Sequence, residues 1–365
     1  MTVPNPNDRA SPKVKEGDPP AGESEVFSGA PEVAASSDKV GSNEDLVLIG
    51  TRFNPVPEGV NAGFVATPDG TKLRIARWTA TTRPSKGTVI LLQGRSEFIE
   101  KYFETVDDLR SRGFGVLTFD WRGQGGSQRL LADPRRGHIE HFNQYITDLE
   151  TVMTEIALPD CKGPFFVLAH SMGALVALLA APSFGNRIDR MVLSAPLLAL
   201  NGLPVSQNLL QRFAGAMSFI GFAQSHARRD TSNALNRPFM GNKLTSDIER
   251  FQRNRGIVEA RQGLVLGAPT FGWTFAACRA MQEVHEPGFS NVISVPTLFL
   301  VAGNDEIVDP RAVEAYGHAM RAGAFLTISG AKHEILQERD FLREQALAAF
   351  DGFVPGSTLE SLQGR

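Results

Sequence analysis

Residues 164–182 read PFFVLAHSMGALVALLAAP, 19 residues without one Asp, Glu, Lys or Arg. That is about the length that spans a bilayer as a helix. The composition argues otherwise. The first part, PFFVL, is aromatic and β-branched, whereas ALVALLAA is made of helix formers, and the two meet at His170-Ser171-Met172-Gly173. The stretch predicts a buried strand that turns sharply into a buried helix.

The neighbouring sequence repeats that alternation in both directions. Upstream, GFVAT and TKLRIARW flank Pro-Asp-Gly, a hairpin signal, and GTVILLQG (87–94) is a nearly continuous apolar run, as in a parallel strand covered on both faces. Phe98, Tyr102, Val106 and Leu109 recur at helical spacing before Gly113, and FGVLTFDW (114–121) reads as the next strand. A helix is expected near 139–157, then the strand at 164–171 and a helix over 172–182. Further strands are expected at RMVLSAP (190–196), VPTLFLVAG (295–303) and AFLTISG (324–330). Strands alternating with helices predict an α/β fold: a mainly parallel sheet with helices on both faces. The interval from about 197 to 290 breaks the rhythm and reads as a helical cap inserted at the carboxyl ends of the strands.

Composition narrows the class. The chain has 365 residues, 42% of them apolar and 21% charged, with a net charge of −3, which speaks against a nucleic-acid binder driven by bulk charge. Residues 1–45 hold six Pro, six Ser and four Gly, with Phe27 their only aromatic and nine acidic residues against four basic. Such a segment buries too little apolar surface to offset its ordering entropy, so a disordered acidic tail is expected there, with the folded domain over 46–365. The tail lacks a basic stretch followed by an apolar one, and two cysteines, Cys161 and Cys278, make no disulfide framework. A cytoplasmic protein is expected.

Ligands and reacting groups in open α/β sheets gather beyond the carboxyl ends of the strands. Four such ends carry suggestive residues. LAHSMGAL places Ser171 between strand and helix, where a nucleophile elbow needs small residues two positions to either side. Gly173 meets that need, and Ala169 replaces the more usual first glycine. VAGNDEIVDP puts Asp305 just past a strand, and ISGAKHEIL puts His333 past the next. The order Ser, Asp, His is that of the α/β-hydrolase triad. LLQGRSEF follows the first long strand, where the backbone N–H groups of Arg95 and Met172 would form an oxyanion hole.

Other signals are weaker. RGQGGS (122–127) lacks the GK[ST] ending of a phosphate loop, and His138 and His141 lack both helical i,i+4 spacing and a third ligand, so no metal and no cofactor are expected. Within 210–261 the basic residues Arg212, Arg228, Arg229, Arg237, Lys243, Arg250, Arg253, Arg255 and Arg261 face only Asp230, Asp247, Glu249 and Glu259. Such a run is usually a solvated helix face, and its functional reading is peripheral contact with an anionic membrane surface.

GRSE after a strand, DWRGQGGS, AHSMG, GNDEIVD and GAKHE together resemble the serine α/β-hydrolases of the monoacylglycerol lipase and bacterial lysophospholipase group, which carries a serine-aminopeptidase-like domain. The resemblance runs from about residue 50 to 350. It implies Ser171 as nucleophile, His333 as base, Asp305 as its orienting acid, and a lipid or small-ester substrate. Gln93 stands where monoacylglycerol lipases carry His. With Arg95 this points to the lysophospholipase branch, and to an Arg95 side chain that grips a substrate phosphate. The competing readings are a peptidase or small-ester hydrolase on the same triad and a non-catalytic binding module.

Overall fold

The computed structural model describes residues 47–227 and 238–355. The proposed acidic tail and the cap residues Arg228, Arg229, Asp230 and Arg237 lie outside them. A hairpin comes first, β1 (Asn61–Ala66) and β2 (Lys72–Trp78). Its turn uses Gly70 at φ 82°, the left-handed residue that Pro68-Asp69-Gly70 supplies. Then follow β3 (Thr88–Leu92), α1 (Phe103–Ser111), β4 (Gly115–Phe119), α2 (Asn143–Val152) and the short α3 (Leu158–Asp160). The 164–182 stretch becomes β5 (Phe165–His170) and α4 (Met172–Phe184), and β6 (Arg190–Ser194) comes next. After α5 (Gln207–Met217), α6 (Ile248–Ala260) and α7 (Phe271–Val284) the sheet resumes with β7 (Thr297–Ala302), α8 (Pro310–Ala319), β8 (Gly323–Ile328) and α9 (Asp340–Phe353).

The eight strands lie in the order β1-β2-β4-β3-β5-β6-β7-β8, and β2 alone runs against the others. Every residue of β3, β4 and β5 is buried. Alternation sorts them onto two faces. Ile90, Leu92, Val167 and Ala169 join a core built with α4 and α7, while Val89, Leu91, Phe166 and Leu168 join one built with α1 and α9. This is the doubly covered, mainly parallel sheet that the strand–helix alternation predicts.

Three details depart from local expectation. The helix expected near 139–157 starts later, at Asn143, and passes through a π-helical turn at Met153–Ala157 into α3. Helix α4 continues past Pro182 to Phe184. Within the interval assigned to a cap, α7 is a body helix: Trp273, Ala276, Ala277, Cys278 and Met281 are buried in the same core as α4. Among the described residues no helix is long and apolar enough to cross a membrane.

Candidate active site

Ser171 caps α4 at the end of β5 with φ 50° and ψ −111°, a strained conformation for a side chain larger than hydrogen. Its surroundings hold it there. The Ser171 amide donates to the Ser194 carbonyl (3.0 Å), and its own carbonyl accepts from Leu175 and Leu197, both at 3.1 Å. Glycine is required two residues on, because a Cβ on Gly173 would lie 2.5 Å from the Gln93 carbonyl oxygen. Two residues before the serine the demand is looser. Ala169 sits fully buried between Leu92 and Leu193 in the sheet register, and its methyl fits.

The other two residues arrive from loops beyond β7 and β8. Asp305 Oδ1 accepts the backbone N–H groups of Ile307 (2.7 Å) and Val308 (3.0 Å), which leaves Oδ2 to His333 Nδ1 at 2.7 Å. His333 Nε2 lies 3.0 Å from Ser171 Oγ. All three are buried. One nitrogen of the imidazole is thus fixed by a carboxylate and the other points at a hydroxyl, the relation needed for the base to take a proton from an alcohol.

The loop after β3 packs against this centre. The Met172 amide belongs to the first turn of α4, where N–H groups have no partner within the helix. Trp121 Nε1 donates to the Gln93 carbonyl at 2.9 Å. Gln124 accepts from the Ser96 amide (2.7 Å), donates to the Tyr145 hydroxyl (2.9 Å) and approaches Met172 Sδ at 3.7 Å. The Gly-rich RGQGGS segment therefore holds, through Gln124, the Ser96 amide next to Arg95 and the Met172 side chain. The Arg95 guanidinium stacks 4.9 Å from the Trp273 ring centre and donates to the Gly267 carbonyl at 3.1 Å, so it ties this loop to the start of α7.

Behind the site lies an ionic cluster that sequence reading missed. Lys101 Nζ bridges Glu97 Oε1 (2.7 Å) and Glu334 Oε1 (2.6 Å), with Glu97 also in contact with His170. Burial works against the Glu97 charge, yet Lys101 and His170 hold that carboxyl well below its ordinary value. The i,i+4 spacing of Glu97 and Lys101 is the available local signal. Nothing in local spacing says that His170 and Glu334 join them.

Residues between β6 and β7 frame the site. Asn242 and Leu244 accept hydrogen bonds from Lys332 Nζ (2.7 Å) and the Glu334 amide (2.9 Å), strapping the loop that carries His333. Several basic residues of the 210–261 run are paired. Arg250 and Arg253 grip Glu104, Lys243 pairs with Glu306 and Arg255 with Glu259. Burial opposes the Glu104 charge, but Arg250, Arg343 and Arg253 bring its carboxyl down to about 2. Apolar cap side chains instead face outward: Leu209 is 53% exposed, Phe213 54%, Phe219 92% and Ile220 61%. His138 Nδ1 contacts Thr270 Oγ1 (3.1 Å) while His141 is exposed, so the His-x-x-His pair does not converge.

Residues 83–340 match the family model described as serine aminopeptidase, S33, within the Hydrolase_4 group. The chain belongs to that hydrolase family. Lysophospholipase L2 of Escherichia coli K12 is 32% identical over 278 residues, covering 73% of this chain and 79% of the relative. Phospholipase YtpA of Bacillus subtilis is 28% identical over 283 residues, 76% of this chain and 98% of its own. Among solved structures, a soluble variant of monoglyceride lipase from Saccharomyces cerevisiae, in complex with a substrate analog, superposes with a TM-score of 0.65 at 20% identity. It covers 84% of this chain and 99% of that one. The sheet and its helices are those of the α/β-hydrolase fold.

Proposed function

We propose that this S33-family hydrolase is a carboxylic-ester hydrolase acting on lysophospholipids or monoacylglycerols through Ser171, His333 and Asp305. The observation that carries the reading is the unbroken chain Asp305 Oδ2–His333 Nδ1–His333 Nε2–Ser171 Oγ, at 2.7 and 3.0 Å. Lysophospholipase and monoglyceride lipase names among the relatives supply the substrate class. In the first step His333 Nε2 takes the Ser171 proton as Oγ attacks the acyl carbonyl. Asp305 keeps Nδ1 protonated and stabilises the imidazolium that results. The Arg95 and Met172 amides face the oxyanion, and losing one such donor costs about 3–4 kcal/mol in comparable enzymes. His333 then protonates the leaving alcohol, and water releases the fatty acid by the reverse sequence.

The exposed Leu209, Phe213, Phe219 and Ile220 support work at a lipid surface. An amphipathic segment of this kind lies in a membrane interface through its apolar side chains. Acyl chains would then reach the site from the membrane rather than through water.

A fluorophosphonate probe followed by digestion tests the nucleophile, and labelling on Ser171 is expected. Ser171→Ala should keep the fold and lose ester hydrolysis by about a millionfold, as for serine nucleophiles elsewhere. Purified mutant with substantial residual turnover would remove Ser171 from the mechanism. Products released from a mixed pool of lysophospholipid, monoacylglycerol and aminoacyl substrates distinguish lipid ester hydrolysis from peptidase activity.

A further inference from the structure

Three of the four loops that bear proposed site groups, those of Arg95, Ser171 and His333, also send one residue into a single buried cluster. Glu97 lies two residues after Arg95, His170 immediately precedes Ser171, and Glu334 immediately follows His333. Lys101 joins the two glutamates. Glu97 Oε2 accepts from the Gly94 amide, from the Tyr102 hydroxyl (2.7 Å) and from His170 Nδ1 (3.1 Å). Space here is tight, for a Cβ on Gly94 would lie 2.8 Å from both Glu97 Oε2 and His170 Nδ1.

The partners of His170 determine its protonation. Nδ1 faces the Glu97 carboxylate and Nε2 faces the main-chain carbonyl of His333 at 3.2 Å. Neither oxygen has a proton to give, given that Glu97 already accepts from an ammonium, a hydroxyl and an amide. A neutral imidazole donates from one nitrogen only, so only the doubly protonated ring satisfies both contacts. The charges agree: the carboxylates of Glu97 and Glu334 are balanced by Lys101 together with a charged His170. The other groups facing the ring are Tyr102, neutral at working pH, and His333 itself, whose ring centre is 4.8 Å away with Asp305 behind it.

We infer that His170 is a buried imidazolium that positions the His333 loop against the nucleophile turn, with Glu97 as its counter-charge. The inference rests on the hydrolase reading above and adds to it a positioning residue outside the triad. If His170 loses its proton, the carbonyl of His333 loses its donor and the cluster gains a net negative charge. The base then shifts relative to Ser171 Oγ. Burial alone would favour neutral His170, but Glu97 and Glu334 raise its pKa above the ordinary value, so the arrangement persists at neutral pH and fails as the solution turns alkaline.

Wild-type protein labelled with ¹⁵N-histidine gives the first readout. At pH 8, where an ordinary histidine of pKa about 6.5 is neutral, His170 should still show two ring N–H groups. A singly protonated His170 at that pH overturns the inference without needing any variant to fold. The second readout is Glu97→Gln, which keeps the shape and removes the counter-charge. Its kcat on a soluble ester should fall about tenfold at pH 8 and approach wild type as pH drops to about 6, with KM little changed. A loss of equal factor at every pH, or no loss, overturns the positioning role. Fluorophosphonate labelling of the wild type separates the two layers. An unlabelled Ser171 rejects the hydrolase reading, whereas a labelled Ser171 beside a neutral His170 rejects this inference alone.

Discussion

The floor of the site and its cap treat side chains in opposite ways. On the floor, Ser171, Asp305, His333, His170 and Glu97 are buried, and each polar group is held by named partners from at least two strand ends. In the cap, α5 and the turn after it leave Leu209, Phe213, Phe219 and Ile220 in the open while much of the local charge is spent on internal ion pairs. A buried, fully partnered network fixes geometry, because an unsatisfied group there costs about 1–3 kcal/mol. An exposed apolar surface fixes nothing until something covers it. The floor thus suits chemistry and the cap suits encounter, and substitutions in the two regions should fail in different assays.

The largest effect is expected on the floor. Asp305→Asn removes the charge that holds the His333 tautomer while leaving its room and the backbone N–H donors of Ile307 and Val308 in place. Turnover should drop by about 10⁴, as for the aspartate of known triads, with binding of a non-reacting ester analogue unchanged. Activity within tenfold of wild type would mean that another group orients His333. Vesicle binding should be normal in this variant, since the cap is untouched.

Much of that floor is legible in the sequence, because strand ends are local features. PFFVLAH ends where apolar β-formers stop, and Ser171 follows at once; Asp305 and His333 come shortly after VPTLFLVAG and AFLTISG. Small residues mark the tight turn, and the clash at Gly173 shows why. What spacing does not carry is which distant charges meet. Arg250 reaches Glu104 across 146 residues and Lys101 reaches Glu334 across more than 200, pairs chosen by packing rather than by neighbourhood. Sidedness of the cap is hidden for a related reason. Leu209 and Phe213 are i,i+4 neighbours in either orientation, and only the packing of α5 on α7, where Phe213 meets the Phe271 ring edge-on, decides how much of each stays exposed.

An intermediate effect is expected in the cap. Replacing Phe219 and Ile220 with serine should weaken binding to anionic phospholipid vesicles by about a hundredfold, from the apolar area those two side chains would bury, while hydrolysis of a short soluble ester stays near wild type. Co-sedimentation with vesicles and a spectrophotometric ester assay on the same preparation make the comparison. Equal vesicle binding by mutant and wild type would take the apolar surface out of the encounter. An equal loss in both assays would show instead that these residues support the floor.

The smallest effect is expected at the edge of the floor, where Arg95 belongs to the loop after β3 and touches the body helix α7. Its sequence position suggested a grip on a substrate phosphate. The structure gives the guanidinium the Trp273 ring at 4.9 Å and the Gly267 carbonyl at 3.1 Å. A cation–π contact contributes about 0.5–1 kcal/mol and a hydrogen bond to a neutral acceptor about 0.5–1.5 kcal/mol. Arg95→Ala removes both and keeps the main-chain N–H proposed for the oxyanion. Loosening of the loop is felt by every substrate alike, so kcat/KM should fall severalfold, and by the same factor for a neutral monoacylglycerol and an anionic lysophospholipid. A charge-assisted contact to phosphate would behave otherwise. It is worth about 1.5–3 kcal/mol, so its loss would cost the lysophospholipid about one to two further decades that the neutral ester would not share. Measuring both ratios in one preparation decides between a brace and a phosphate grip. The stack on Trp273 also gives the brace its own signature, since Arg95→Ala should change the fluorescence of that buried indole even without substrate.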